Sequence, residues 1–86
     1  MTDELLPLTA RQREIYRWIA GYCVRGYGPT FREVSAAMGM RSMVGAASQL
    51  EALRKKGWVT WLPGMNRTMK PTEAAVRAME SDHVVV

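Results

Sequence analysis

Apolar positions in the first third of the chain recur at helical spacing: Ile15, Ile19, Tyr22 and Cys23 fall on one face, while Arg11, Arg13, Glu14 and Arg17 fall largely elsewhere. Thr9, with Gln12 three residues on, supplies both halves of a capping box, so the pattern predicts a helix over about residues 10–24. The stretch RGYGP then interrupts the periodicity with two glycines and Pro29. Thr30 and Glu33 repeat the capping-box spacing and predict a short second helix carrying Phe31, Val34, Ala37 and Met38. Gly39 closes it, as a residue able to adopt the left-handed conformation. Met40 to Ser42 form a turn, and Ser42 caps a third helix running to about Lys56 and stopping at Gly57. Met43 and Ala46 share its inner face with Leu50 and Leu53, and are expected in the core.

The pattern then changes. WVTWL is rich in strand-forming residues, PGMN reads as a turn, and RTMK reads as a returning strand. Pro71 and Thr72 introduce EAAVRAME, a short amphipathic helix expected to bury Ala75, Val76 and Met79 before the tail SDHVVV. The expected fold is mainly α with a small β-hairpin: a three-helix winged helix-turn-helix plus a short C-terminal helix. It is expected as one domain over 1–86, with a core at about 8–70, a C-terminal helix at about 72–80 and a loose tail at 81–86.

Eighty-six residues, 48% of them hydrophobic and 23% charged, suit one small globular domain. No apolar run approaches the ~20 residues of a membrane span, and MTDELLPLT has no basic region of the kind that opens a signal peptide. A cytoplasmic, nucleoid-associated location is therefore expected. Cys23 is the only cysteine and His83 the only histidine, so neither an internal disulfide nor a multi-cysteine metal site is expected. Cys23 reads as a small buried residue, and His83 as a solvated tail residue. No nucleophile and base pair up, and no phosphate-binding glycine loop is present, so neither catalysis nor a cofactor is expected.

Charge narrows the reading further. The formal net charge is +4, yet Asp3, Glu4, Glu73, Glu80 and Asp82 all lie near the ends. From Arg11 to Lys70 eleven Lys and Arg face three Glu, a surplus of eight, which points to a polyanionic partner. In a winged helix the third helix can enter the major groove while the second crosses the backbone. Arg11, Thr30, Arg32, Arg41, Lys55, Lys56 and Arg67 are the candidate phosphate contacts.

LTARQREIYRWI, GYGPTFREVSAAMGMRS and LEALRKKGWV together resemble the N-terminal DNA-binding domain of the LexA repressors, from about Leu8 to Lys70. The resemblance implies a winged helix whose third helix and wing engage operator DNA. LexA proteins continue through a linker into a self-cleaving protease domain that also dimerises. This chain carries a helical PTEAAVRAME where the family has its linker. The expectation is a stand-alone LexA-like domain, suited to a phage or mobile-element regulator. Ser42 remains at the positions that face DNA in the family, while Val44, Gly45, Ala47 and Ser48 stand where polar residues often read bases.

The hydrogen-bonding repertoire of the third helix is correspondingly thin. Only Arg41, Ser42, Ser48 and Gln49 offer donors or acceptors, and Val44 and Ala47 could touch thymine methyl groups. The expected function is that of a LexA-like DNA-binding transcriptional regulator, a repressor by operator occlusion, with double-stranded DNA as partner. The alternative is a protein-interaction module, an inhibitor or adaptor using the apolar third-helix face and the wing. For it, Trp61 and Met65 near the wing tip are the candidate interface, to a second copy or another protein.

Overall fold

A computed structural model describes residues 5–78 of the protein. The expectations for Met79, His83 and the tail at 81–86 lie outside the described residues.

Helix α1 spans Ala10–Tyr22. Its capping box is complete: the Gln12 amide donates to the Thr9 hydroxyl at 3.1 Å, and the Thr9 amide donates to Gln12 Oε1 at 3.1 Å. A 3-10 turn at Cys23–Arg25 follows and ends at Gly26, whose φ is +100°. Helix α2, Phe31–Ala37, opens on the second capping box, formed by Thr30 and Glu33. Gly39, at φ +68°, turns the chain toward α3, Met43–Lys55, where Ser42 Oγ accepts the Val44 amide at 3.1 Å. Arg54 and Lys55 occupy the last turn, where the helix dipole favours cations.

The buried core comprises Ile15, Tyr16 and Ile19 of α1, Val34 of α2, Leu50 and Leu53 of α3, and Val59, Met69 and Ala75. The fully buried Leu and Ile side chains each contribute roughly 1.5–3 kcal/mol by leaving water. Tyr16 packs edge-on to Trp58, with ring centroids 5.3 Å apart. Tyr22 and Cys23, expected on the apolar face, are only half-buried: the Tyr22 hydroxyl reaches Glu33 of α2 and the Cys23 thiol reaches the wing. Gln12 and Tyr16 complete the buried stripe instead. Ala37 is exposed. Met43, the first residue of α3, is 43% exposed and does not join the core; Ala46 is fully buried as expected.

The strands are shorter than their composition suggests. β1 is Val59–Thr60 and β2 is Lys70–Pro71, antiparallel, with Val59 opposite Pro71 and Thr60 opposite Lys70. Strands over 58–62 and 67–70 were expected, but the residues between use other partners. The Leu62 amide donates to Thr68 Oγ1 at 2.9 Å, and the Met65 amide to the Leu62 carbonyl at 3.1 Å. Arg67 takes a left-handed φ of +66°, incompatible with a continuing strand, and its carbonyl accepts the Gly28 amide at 3.2 Å.

Gly28 is required there by contact. A Cβ at this position would lie 1.9 Å from the Met69 carbonyl oxygen. The turn before α2 thus lies flush against the wing backbone, and the Cys23 thiol donates to the same Met69 carbonyl at 3.4 Å. After β2, the Thr72 hydroxyl donates to the Gly57 carbonyl at 2.6 Å and accepts the Ala75 amide, capping a helix that the description follows over 73–78. That helix buries Ala75, while Val76, expected inside, is 43% exposed because only one edge of the helix meets the core. Among the described residues no helix is long and apolar enough to cross a membrane.

Candidate nucleic-acid interface

The inner stripe of α3, Ala46, Leu50 and Leu53, fixes by geometry which residues lie opposite. Val44, Ser48, Glu51 and Lys55, at spacings of four, three and four, form the outward stripe, with Gly45 and Ala47 on its flanks. Val44 is 79% exposed, and Gly45 has nothing within 4 Å of where a Cβ would stand. Glu51 pairs with Arg54 at 3.7 Å. The first two turns of the helix front are therefore small and mostly apolar, and Glu51 is the one carboxylate on the stripe.

Polar side chains here are fewer than the sequence offered. Ser42 Oγ is engaged as the cap of α3. Gln49 is half-buried and turned toward α1, its Oε1 accepting from Gln12 Nε2 at 3.3 Å. Lys56 also points inward, donating to Gln12 Oε1 at 2.6 Å. Gln12 thus ties both of these candidate contacts to the first turn of α1. No sequence signal marked that role, because a glutamine in a capping box is already explained by its own helix.

The candidate cations divide into two groups. Arg11 is spoken for: it pairs with Glu14 at 3.0 Å and donates to the Met38 carbonyl at 2.5 Å, closing the end of α2. The Thr30 hydroxyl is the α2 cap. By contrast Arg32, Arg41 and Lys55 are exposed and have no ion pair or hydrogen bond among the described residues. They mark the start of α2, the turn between α2 and α3, and the end of α3. These positions bracket the outward stripe with positive charge.

Arg67 belongs to the first group. Its guanidinium grips the Glu33 carboxylate with both terminal nitrogens, at 2.9 and 3.1 Å, and donates to the Tyr22 hydroxyl at 2.8 Å. It also lies over the Tyr27 ring, 5.3 Å from the centroid. Glu33 accepts further from the Thr30 amide at 2.9 Å and the Tyr22 hydroxyl at 3.1 Å. The Arg67 hydrogen bonds, followed by that of the Thr30 amide, hold the Glu33 carboxyl down at about 2; the same pairing raises the Arg67 pKa. The pairing of Arg67 with Glu33, Tyr22 and Tyr27 was not legible from sequence: Arg67 and Glu33 lie 34 residues apart, beyond any local pattern.

Trp61 is half-buried. Its ring meets Phe31 of α2 edge-on at 5.2 Å and carries the Arg54 guanidinium at 4.9 Å, so it joins the wing to α2 and α3. Leu62 and Met65 remain outside, at 57% and 60% exposure. Burial raises the pKa of the half-buried Cys23 thiol, the reverse of what a reactive thiolate requires. Among the described residues no group of three or more His, Cys, Asp or Glu could hold a metal.

The family model "LexA DNA binding domain" matches residues 5–68. The chain is 38% identical over 65 residues to the transcription regulator LexA of Synechocystis sp., covering 74% of this chain and 32% of that protein. It is 41% identical over 73 residues to the LexA repressor of Anaeromyxobacter dehalogenans, covering 84% of this chain and 32% of that protein. Against the LexA repressor of Actinobacillus succinogenes it is 42% identical over 65 residues, covering 74% and 31%. The chain spans about a third of the length of these relatives. The helical triad, the short wing and the matched residues agree: the chain belongs to the LexA DNA-binding domain family.

Proposed function

We propose that this domain binds double-stranded DNA and regulates transcription, as a repressor that occludes its operator. In this reading α3 enters the major groove with Val44, Gly45, Ala47 and Ser48 toward the bases. Arg32, Arg41 and Lys55 hold phosphates on either side. The observation that carries it is the exposed α3 stripe bracketed by these three cations, none of which has a partner among the described residues. Arg11, Lys56 and Arg67, each engaged within the domain, act by positioning helices and wing. The relatives, named as LexA regulators and repressors, support the class of function.

The test is gel retention of pooled duplexes at rising salt, with R41E and K55E beside the wild type. Steep loss of binding with salt, and a shallower slope in each variant, is expected. Binding that ignores salt overturns the phosphate-based reading.

A second reading rests on Leu62 and Met65, both exposed at the wing. As a protein-interaction surface they would serve an adaptor or a homodimer. Half-buried Trp61 adjoins that surface while its ring meets Phe31. Charge reversal at Arg41 spares this function, and L62E with M65E abolishes it.

A further inference from the structure

Resting on the DNA-binding reading, we infer that the domain selects its sites through the 5-methyl groups of thymine, with exposed Val44 at the head of α3 as the principal contact. Val44 leads the outward stripe, with no side chain of its own domain covering most of its surface. A solvent-facing branched aliphatic at the start of a helix has a poor helix propensity to offset, and no folding role is visible for it here.

The chemistry of the groove decides what such a residue can recognise. Guanine, adenine and cytosine present acceptors or amino donors along the major-groove edge, whereas the thymine methyl is its one apolar feature. A polar edge pressed against Val44 loses water and gains no partner, which disfavours it. A methyl pressed against Val44 gains contact on both sides, so one residue discriminates in two directions. The groups that would compete by hydrogen bonding are largely withdrawn, because Ser42 Oγ caps α3 and Gln49 is bound to Gln12. Ser48, one turn further along the stripe, and Arg41 remain as the polar complement.

Gly45 adds a second, independent observation. With no Cβ, and nothing within 4 Å of where one would be, it leaves a notch beside Val44. The α3 backbone can therefore come closer to the base edges than a larger residue would allow, bringing the short Val44 side chain into reach. Ala47 on the other flank is small as well, and Arg32, Arg41 and Lys55 supply the charge that draws the helix down onto a polyanion.

The experiment removes one methyl at a time. Duplexes retained by the wild-type protein from a random pool at near-physiological salt are sequenced. Each thymine of an enriched duplex is then replaced singly by deoxyuridine, which differs only in lacking the 5-methyl group. Binding is expected to weaken about fourfold at the contacted positions, the equivalent of one buried methyl, and Val44→Ala is expected to bind the thymine and uracil forms nearly alike. The exposure of Val44 makes this variant safe for folding, which circular dichroism checks.

If no uracil substitution alters affinity, or if Val44→Ala keeps the full loss, the inference is overturned while DNA binding stands. Retention without any enriched sequence overturns it in the same way. Should the wild type retain no duplex at all, the DNA-binding reading falls and takes the inference with it.

Discussion

Gly28→Ala is the sharpest test of how the wing is held. Exchanging glycine for alanine normally stabilises by about 0.4–1 kcal/mol, through a less flexible unfolded chain, wherever the native backbone accepts it. Here the new Cβ would stand 1.9 Å from the Met69 carbonyl oxygen and 2.8 Å from its carbon, both backbone atoms that no rotamer change can move away. Ordinary van der Waals contact begins at 3.4 Å, so turn and wing must part by about 1.5 Å. Parting breaks the bond from the Gly28 amide to the Arg67 carbonyl, at about 1 kcal/mol, and opens the seam over buried Met69, at roughly another 1–2 kcal/mol. After the unfolded-state gain is deducted, the expected net loss is about 1–2.5 kcal/mol, or a fall in Tm of roughly 4–20 °C for a domain of this size. Thermal unfolding followed by circular dichroism, with urea unfolding followed by tryptophan fluorescence, measures it. A variant as stable as the wild type, or more so, refutes the account of the seam.

Gly45→Ala lies in helix and meets nothing, so it is expected to stabilise the domain by about 0.5–1 kcal/mol in urea unfolding, while the filled notch weakens duplex binding in gel retention. Each of R41E and K55E is expected to reduce the slope of log affinity against log salt by about 1 with unchanged Tm, measured by fluorescence anisotropy. Because the Glu33 carboxyl is depressed from 4.5 to about 2 in the folded state, its contribution to stability is complete above the unfolded value near 4.5 and is lost as pH falls toward 2. Urea midpoints measured over that acid range should fall less steeply for Glu33→Gln than for the wild type, and less steeply for both at high salt.

Helix starts and stops were legible because they are written locally. Thr9 with Gln12, Thr30 with Glu33, and Ser42 each satisfy amides within three residues, and Gly39 and Gly57 take the positive φ that ends a helix. Strand limits were not, because the wing spends its backbone groups on Thr68 and Gly28 rather than on a longer ladder. The same distinction runs through the site. Exposed positions on α3 followed from helical period, so Val44 and Ser48 could be placed from sequence. The fate of Arg67, Lys56 and Trp61 depended on partners more than twenty residues away, Glu33, Gln12 and Phe31, and charge or aromaticity alone made them look available.

The wing root is sewn to the rest of the domain by three stitches, two of them through Arg67: Arg67 to Glu33 and Tyr22, Gly28 to Arg67, and Trp61 against Phe31 and Arg54. These contacts tie a ladder of only two residues to all three helices, through Tyr22 of α1, Glu33 and Phe31 of α2 and Arg54 of α3. If α3 enters the groove as proposed, helix and wing tied in this way present a set span, and a mismatch with a duplex would fall on the DNA. Operators whose base steps bend or narrow readily would be favoured over stiff ones carrying the same contacted bases, so part of the selectivity would be written in sequence that the protein never touches.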